Sequence, residues 1–331
     1  MHKVAPSPRT SPVRVFITID TEFWPAGWDL SPSSVAKAVD ADAYAITPKG
    51  EFGIRYQMEE LNRHGLKAVF LIESLAAHCT DPAHLARIVG DVRAGGHDAQ
   101  LHLHSEWAHR SERPLIAGPL RLNMREHSLD AQTLLVERGL AHLRAAGADR
   151  VCAFRAGNYG ANADTLRALA RNGIPFDTSH NTAFLGRTCD LPTDAPLLQP
   201  TGMHGVVEFP IGHFVDWPGH LRHLQLGACS ESELRMVLEA AWRQGWYALV
   251  LVSHSFELVD AERRKGDATM LRRHRWLCRH LAENRDRFVT STFAELERAA
   301  IPPPVPATVP RSHPARTAMR ILGQVRRRIL P

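Results

Sequence analysis

The sequence lacks paired cysteines, long apolar runs and a cleavable leader, and each absence excludes a class of protein. No apolar run reaches the roughly 18 residues of a membrane-spanning helix. The first residues show no apolar stretch before a cleavage site, so no signal peptide is predicted. We therefore expect a cytoplasmic protein. The five cysteines form no C-x-x-C pair, which argues against a disulfide framework or a thiolate zinc site: they are Cys79, Cys152, Cys189, Cys229 and Cys278.

Acidic residues are missing from the C-terminal end, and this absence accounts for the basic charge of the chain. Residues 311–331 hold six arginines and no acid, whereas the whole chain has a formal net charge of +5. Without those six arginines the remainder carries about −1. A nearly neutral body gives no electrostatic case for binding nucleic acid.

The composition divides the chain into three parts: an N-terminal extension (1–12), a folded domain (13–300) and a tail (301–331). The tail begins with six prolines in residues 301–314, which predict a semi-rigid linker. Residues 315–331 would then form either a disordered basic tail or a basic amphipathic helix. Such a helix could contact an anionic membrane at its inner face. Its apolar face would hold Met319, Leu322, Val325 and Ile329.

Residues 13–300 alternate short apolar runs with helical patterns, which is typical of parallel strands joined by crossover helices. Seven such strands in one run predict an α/β fold, a distorted (β/α)7 barrel. The predicted helices span 52–64, 84–94, 129–145, 163–171, 232–243 and 270–283. The predicted strands span 13–19, 67–72, 98–103, 151–154, 175–178, 206–210 and 247–252.

Ionisable residues follow five of these strands, where the active sites of parallel barrels gather. One carboxylate and two histidines make a three-ligand site with an open position, which suits zinc in hydrolysis. A second carboxylate can take a proton from water, and a further histidine can protonate a leaving amine. The strand-end residues are Asp20 and Glu22, His102 and His104, Arg155, Asp177, and His254.

These residues resemble the motifs of the polysaccharide deacetylases (NodB homology, carbohydrate esterase family 4) over about residues 13–297. The first motif reads TIDTEFW, in which Asp20 matches the catalytic base. Thr21 stands where most members have an acid, so the resemblance implies that Glu22 binds the metal. In the second motif His102 is the first histidine ligand. The second ligand would be His104 or, as an alternative, Glu106.

The later motifs supply the remaining groups. FRAGNYG implies that Arg155 holds the base and that the backbone near Tyr159 helps the oxyanion. Asp177 would support the acid, and LVSH makes His254 the acid itself. We assign Tyr159, Asn158 and Trp107 to substrate binding.

The resemblance implies a hydrolase that uses a divalent metal, zinc above all, to remove an N-acetyl group from an amino sugar. The substrate would be an N-acetylated sugar or a lipid-linked glycan precursor used in glycan biosynthesis. One alternative is hydrolysis of a non-sugar amide or cyclic imide. Another is a catalytically inactive, glycan-binding barrel.

Overall fold

A curled, mostly parallel sheet forms the body of the protein. The computed structural model describes residues 11–329, with side chains described as far as Gln324. The residues of the predicted extension before Ser11 therefore lie outside the described part. The strands are β1 (Val13–Thr21), β2 (Ile46–Thr47), β3 (Gly50–Glu51), β4 (Val69–Glu73), β5 (Asp98–Leu103), β6 (Ala153–Ala156), β7 (Phe176–Asp177), β8 (Thr201–Met203), β9 (Val206–Glu208), β10 (His213–Trp217), β11 (His220–His223), β12 (Ala248–His254) and β13 (Phe288–Thr290).

The helices lie between these strands in the alternating order that the sequence predicted. Ser, Asp or Asn caps begin several of them. Ser230, for example, forms a capping box with Glu233. The helices are α1 (Pro32–Ala38), α2 (Ile54–Arg63), α3 (Pro82–Ala94), α4 (Leu129–Ala145), α5 (Ala163–Arg171), α6 (Glu231–Arg243), α7 (Ala268–Glu283) and α8 (Pro314–Ile329).

The predicted barrel is confirmed. The strands β12, β1, β4, β5, β6, β7 and β9 are neighbours in that order, and every adjacent pair is parallel. Beyond β9, Ile211 forms a parallel bridge with Val250 of β12, which draws the two ends of the sheet together. Two further pairings within this sheet were not predicted: β8 runs antiparallel to β9, and β13 runs parallel to the start of β1.

Alternation along β1 separates the two faces of the sheet. Val15, Ile17 and Ile19 belong to the larger core cluster, together with residues of the surrounding helices. Phe16 belongs instead to the cluster inside the barrel, where its ring lies 5.3 Å from that of Phe209. Since side chains alternate along a strand, Asp20 projects to the same side as Phe16. The barrel interior is therefore apolar at one end and polar at the end where Asp20 lies.

The proline-rich segment is attached to the body, which corrects the prediction of a spacer. Val215 of β10 exchanges backbone hydrogen bonds with Pro310 and Ser312. On α8, Thr317 and Arg320 are buried. Arg320 donates hydrogen bonds to Asp216 at 2.7 Å and to Glu233 at 3.1 Å. These buried ion pairs hold the first turns of α8 against the barrel.

On the apolar side of α8, the described side chains are open to solvent. Met319 is 72% exposed and Leu322 is 69% exposed. The side chains of Val325 and Ile329, which complete the predicted face, lie outside the described part. Among residues 11–329, no helix has both the length and the apolar character needed to cross a bilayer.

Candidate active site

Strand pairing brings the polar strand ends together. Asp20 on β1 lies beside His254 on β12, and His102 on β5 lies beside Arg155 on β6. Residues paired in this way project to the same face of a sheet. The carboxyl ends of these four strands therefore form one polar edge of the barrel.

Glu22, His102 and His104 form a compact buried cluster. Their nearest ligand atoms all lie within 4.8 Å of one another. Glu22 Oε2 is 2.6 Å from His104 Nε2 and 3.5 Å from His102 Nε2. Within residues 11–324, this is the one group of three or more such side chains that meets this distance. One carboxylate and two imidazoles match the donor set of a catalytic zinc site.

The ring of His102 is oriented by a backbone carbonyl. Its Nδ1 lies 2.9 Å from the carbonyl oxygen of Arg155, which can only accept a hydrogen bond. Nδ1 must therefore carry the proton, so the neutral ring presents a lone pair at Nε2, toward Glu22. This arrangement is common for a histidine that binds a metal.

His104 is positioned by three neighbours. Its backbone N–H donates to Glu73 Oε2 at 2.5 Å. Its ring packs so closely on Gly157 that a Cβ there would lie 2.6 Å from the ring. Glu106 lies behind the ring, with Oε2 3.6 Å from Nδ1. Of the two alternatives for the second histidine position, the geometry therefore favours His104, and Glu106 stands outside the cluster.

The electrostatics of the cluster fit a divalent cation. Burial raises the pKa of Glu22, but the adjacent His104 and His102 outweigh burial and hold this pKa well below its ordinary value. Burial lowers the pKa of His104, whereas the Glu22 and Glu106 carboxylates raise it well above its ordinary value. A proton on His104 thus occupies the place that a cation would take, and metal binding releases such protons.

Asp20 forms a buried ion pair with Arg155. Arg155 Nη1 donates to Asp20 Oδ1 at 2.6 Å, and both residues are buried. The rest of the guanidinium is fixed by Thr178, through its carbonyl oxygen at 3.0 Å and its hydroxyl at 3.2 Å. The pairing of Arg155 with Asp20, which the resemblance implied, is present in the structure.

His254 lies between two carboxylates. Its Nε2 is 3.9 Å from Asp20 Oδ2, and its Nδ1 is 3.9 Å from Glu257 Oε2. Burial lowers the pKa of His254, but Glu257 and Asp20 outweigh this effect and raise it to about 9. Gln225 Nε2 and the Gly227 N–H both donate to Glu257 Oε1 and so fix this carboxylate.

The structure does not bring Asp177 to His254, which corrects its predicted role. The Asp177 carboxylate accepts hydrogen bonds from the Ser179 hydroxyl at 2.7 Å and from the Ser179 N–H at 3.2 Å. Ser179 Oγ in turn accepts from the Ala156 N–H, next to Arg155. Asp177 therefore braces the strand that carries Arg155, and the carboxylate on the Nδ1 side of His254 belongs to Glu257.

A cavity of about 330 Å³ opens onto the cluster. This volume is near the lower end of the range of about 300–1,000 Å³ for ligand pockets. The cavity lining consists of Glu22, Trp24, Trp28, His104, Glu106, Arg110, Leu122 and Asn158.

Of the three residues assigned to substrate, Asn158 alone lines this cavity. Trp107 is fully buried, with its ring stacked 6.0 Å from that of Trp24 and edge-to-face 4.9 Å from that of Trp28, so its assignment was wrong. Tyr159 packs 5.4 Å from Phe184 and is not part of the lining. The two tryptophans that rest on Trp107 form the cavity wall instead.

Sequence reasoning missed four residues of the site: Glu73, Glu257, Trp24 and Trp28. Glu73 ends the apolar strand VFLIE, so the strand-end rule could have found it. Burial raises the pKa of Glu73 to about 8. Glu257 follows His254 by three residues, but its orientation depends on Gln225 and Gly227, which lie far away in the sequence.

Comparison with known proteins supports the fold. No family model matches the sequence, and no curated protein matches it. A Mycobacterium smegmatis protein assigned as a polysaccharide deacetylase is 18% identical, with a TM-score of 0.55 over 93% of this chain and 98% of its own. A 4-α-glucanotransferase from Thermococcus litoralis is 11% identical, with a TM-score of 0.53 over 90% of this chain and 42% of its own.

A family 4 carbohydrate esterase from Streptomyces lividans, solved with acetate, is 14% identical over 89% of this chain and 97% of its own. Its TM-score of 0.42 is too low to support an argument. At these identities the likeness establishes the fold, as the motif resemblance predicted. Because a glucanotransferase shares this fold, the reaction has to be argued from the site.

Proposed function

We propose that this chain, whose fold is shared with polysaccharide deacetylases, is a divergent metal-dependent hydrolase that removes an N-acetyl group from an amino sugar. One observation carries the proposal. The cluster of Glu22, His102 and His104 lies at the same polar edge as the paired Asp20 and His254. Metal-assisted amide hydrolysis uses a Lewis acid together with a proton acceptor and a proton donor, and this edge can supply all three.

Glu22, His102 and His104 would hold the metal, with zinc favoured by the donor set. A divalent cation held there would lower the pKa of a coordinated water and would polarise the acyl carbonyl. Asp20 takes a proton from the attacking water. Arg155 holds Asp20 in place through the 2.6 Å hydrogen bond and supplies a fixed positive charge beside it.

His254 supplies the second proton transfer. Water adds to the acyl carbon, the C–N bond breaks, and the nitrogen leaves as an amine with the proton that His254 donates. The products are acetate and the free amino sugar. Glu257 keeps His254 protonated, since its carboxylate contributes to the raised pKa of the ring.

The test is release of acetate by the purified, zinc-loaded protein. We expect release from N-acetylglucosamine or a derivative, and none from the His102→Ala variant, which should also retain less zinc. Simple amides and cyclic imides serve as the comparison substrates. Cleavage of an imide without cleavage of any N-acetyl sugar would reassign the substrate, and zinc-loaded protein that cleaves neither would refute the proposal.

The pH dependence of the reaction tests the role of His254. Its folded-state pKa of about 9 means that the ring carries its proton below that pH and loses it above. We therefore expect kcat/KM to fall as the pH rises through about 9. Glu257→Gln removes a carboxylate that raises this pKa and leaves the burial that lowers it, so the alkaline limb should move to lower pH. The exposed Glu262→Gln is the control, and an unmoved limb in Glu257→Gln would contradict the assignment.

We also propose that α8 brings the protein to an anionic membrane surface, as a lipid-linked substrate would require. A groove of about 840 Å³ between α6, α7 and α8 is lined by seven arginines and two glutamates. The exposed Met319 and Leu322 lie on the same helix. Basic residues near an anionic bilayer contribute about 1 kcal/mol each.

Co-sedimentation with phosphatidylglycerol vesicles tests this docking. We expect binding at low salt, little binding at high salt and little binding to phosphatidylcholine. Met319→Gln combined with Leu322→Gln should weaken binding without changing acetate release. Truncation at Ala300 is unsuitable, because it would leave Asp216 and Glu233 without the buried Arg320. Failure to sediment with anionic vesicles at low salt would refute the proposal.

A further inference from the structure

Arg110 is a positive side chain in the wall of the active-site cavity that the proposed reaction leaves unused. It follows the short 3-10 helix Ser105–His109, and its backbone N–H donates to the Trp107 carbonyl. It lines the cavity together with Glu22 and His104 of the metal cluster. Its guanidinium is therefore held near the position where a substrate would be cleaved.

The Arg110 guanidinium is stacked on an aromatic ring but has no carboxylate partner among the described residues. Its central carbon lies 3.8 Å from the centre of the Trp28 ring. Its Nε is buried and has no hydrogen-bond partner among the described residues. In that same part of the chain, no carboxylate oxygen lies within 4.0 Å of its nitrogens, whereas the buried Arg155 and Arg320 each have such a partner.

Once a divalent cation is bound, no charged group of the cavity lining would neutralise Arg110. The charged groups of the lining are the Glu22 and Glu106 carboxylates and the Arg110 guanidinium. A divalent cation at the cluster would balance the two carboxylates, so a net charge of about +1 remains at Arg110. A stacked guanidinium with free N–H groups is well suited to two parallel hydrogen bonds with a phosphate or carboxylate.

We propose that Arg110 binds an anionic substituent, a phosphate or a carboxylate, on the N-acetylated amino sugar. This inference rests on the proposed function and narrows its substrate class to acidic sugars. Arg110 determines specificity and takes no part in bond breaking.

The first test compares acetate release from neutral N-acetylglucosamine with release from its 1-phosphate, its 6-phosphate and N-acetylmuramic acid. These acidic substrates distinguish a phosphate from a carboxylate and one position from another. We expect at least one acidic sugar to be preferred. Arg110→Met keeps packing on Trp28 but removes the charge, and should lower kcat/KM for that sugar on the order of 10–100-fold, mainly through KM.

The remaining variants separate charge from structure. Arg110→Met should lower kcat/KM far less for neutral N-acetylglucosamine than for the acidic sugar, and Arg110→Lys should recover part of the loss on the acidic sugar. Arg113→Met, an exposed arginine of the same loop, should behave as the unmodified protein. Equal losses on neutral and acidic sugars, or no loss on either, would overturn the inference.

Calorimetry provides a readout that does not depend on activity. Inorganic phosphate should bind the zinc-loaded protein. It should bind Arg110→Met at least about tenfold more weakly when the zinc content is equal. Equal phosphate binding by the two proteins would refute the anion site even if sugars are cleaved. Weaker binding by the variant, with no N-acetyl sugar cleaved by either protein, would support the anion site and refute the proposed deacetylation.

Discussion

Replacing Asp20 with Asn should lower kcat by about 10²–10⁴-fold, the usual contribution of a general acid or base. The amide can still accept the hydrogen bond from Arg155, but it does not take a proton from water. Zinc content should stay unchanged, because Asp20 is not one of the three clustered ligand residues. Acetate release and metal analysis of the same preparation provide the measurement.

The buried setting of Asp20 requires a control for folding. Removing one partner of a buried ion pair typically costs about 3–5 kcal/mol, and Asn should cost less than this because an acceptor remains. Asp164→Asn changes an exposed Asp–Arg pair, with Arg167 at 2.6 Å, and should leave turnover unaffected. If Asp20→Asn is folded, holds zinc and turns over at the original rate, Asp20 is not the base.

Replacing Gly157 with Ala should deplete the metal site without altering any ligand. The added Cβ would lie 2.6 Å from the His104 ring, which is closer than real Cβ atoms approach other atoms. The ring must therefore shift from the position in which its Nε2 lies 2.6 Å from Glu22 Oε2. Changes to groups that support a metal ligand typically lower metal affinity about 10–100-fold. Zinc affinity, measured by competition with a chromophoric chelator, should fall to this extent, and acetate release with it.

Gly90→Ala is the matched control for that variant. Gly90 lies in α3 with open space around it, so Ala should keep full zinc affinity. It should also raise stability by roughly 0.5–1 kcal/mol, since Gly weakens a helix interior. If zinc affinity is unchanged in Gly157→Ala, zinc binding does not depend on the present position of the His104 ring. That result would contradict the assignment of His104 as a metal ligand.

The sequence by itself was enough to predict the barrel and most of the polar edge. Both predictions depend on local periodicity. Two residues spaced i and i+2 on a strand end share a face, so Glu22 had to lie near Asp20, and His104 near His102. Parallel strands place all such ends at one edge, which is why residues as distant as Asp20 and His254 could be grouped before their pairing was known.

Only the tertiary structure decided which neighbours these residues have. Periodicity no longer sets the direction of a side chain at the end of a strand or beyond it. Three residues lie in such positions: Trp107, Asp177 and Glu257. Trp107 turns into the core and Asp177 toward Ser179. Glu257 reaches His254 because Gln225 and Gly227 from a remote loop hold its carboxylate.

The C-terminal segment illustrates the same limit. Its prolines predicted a linker, and its arginines predicted either a disordered basic tail or a basic amphipathic helix beyond it. Composition describes what a segment is made of and does not identify the residues that it contacts. The structure shows Arg320 buried against Asp216 and Glu233, more than 80 residues away in the sequence. A buried charge is tolerated when it is paired. The partners of Arg320 come from other elements of the fold, so only the folded structure identifies them.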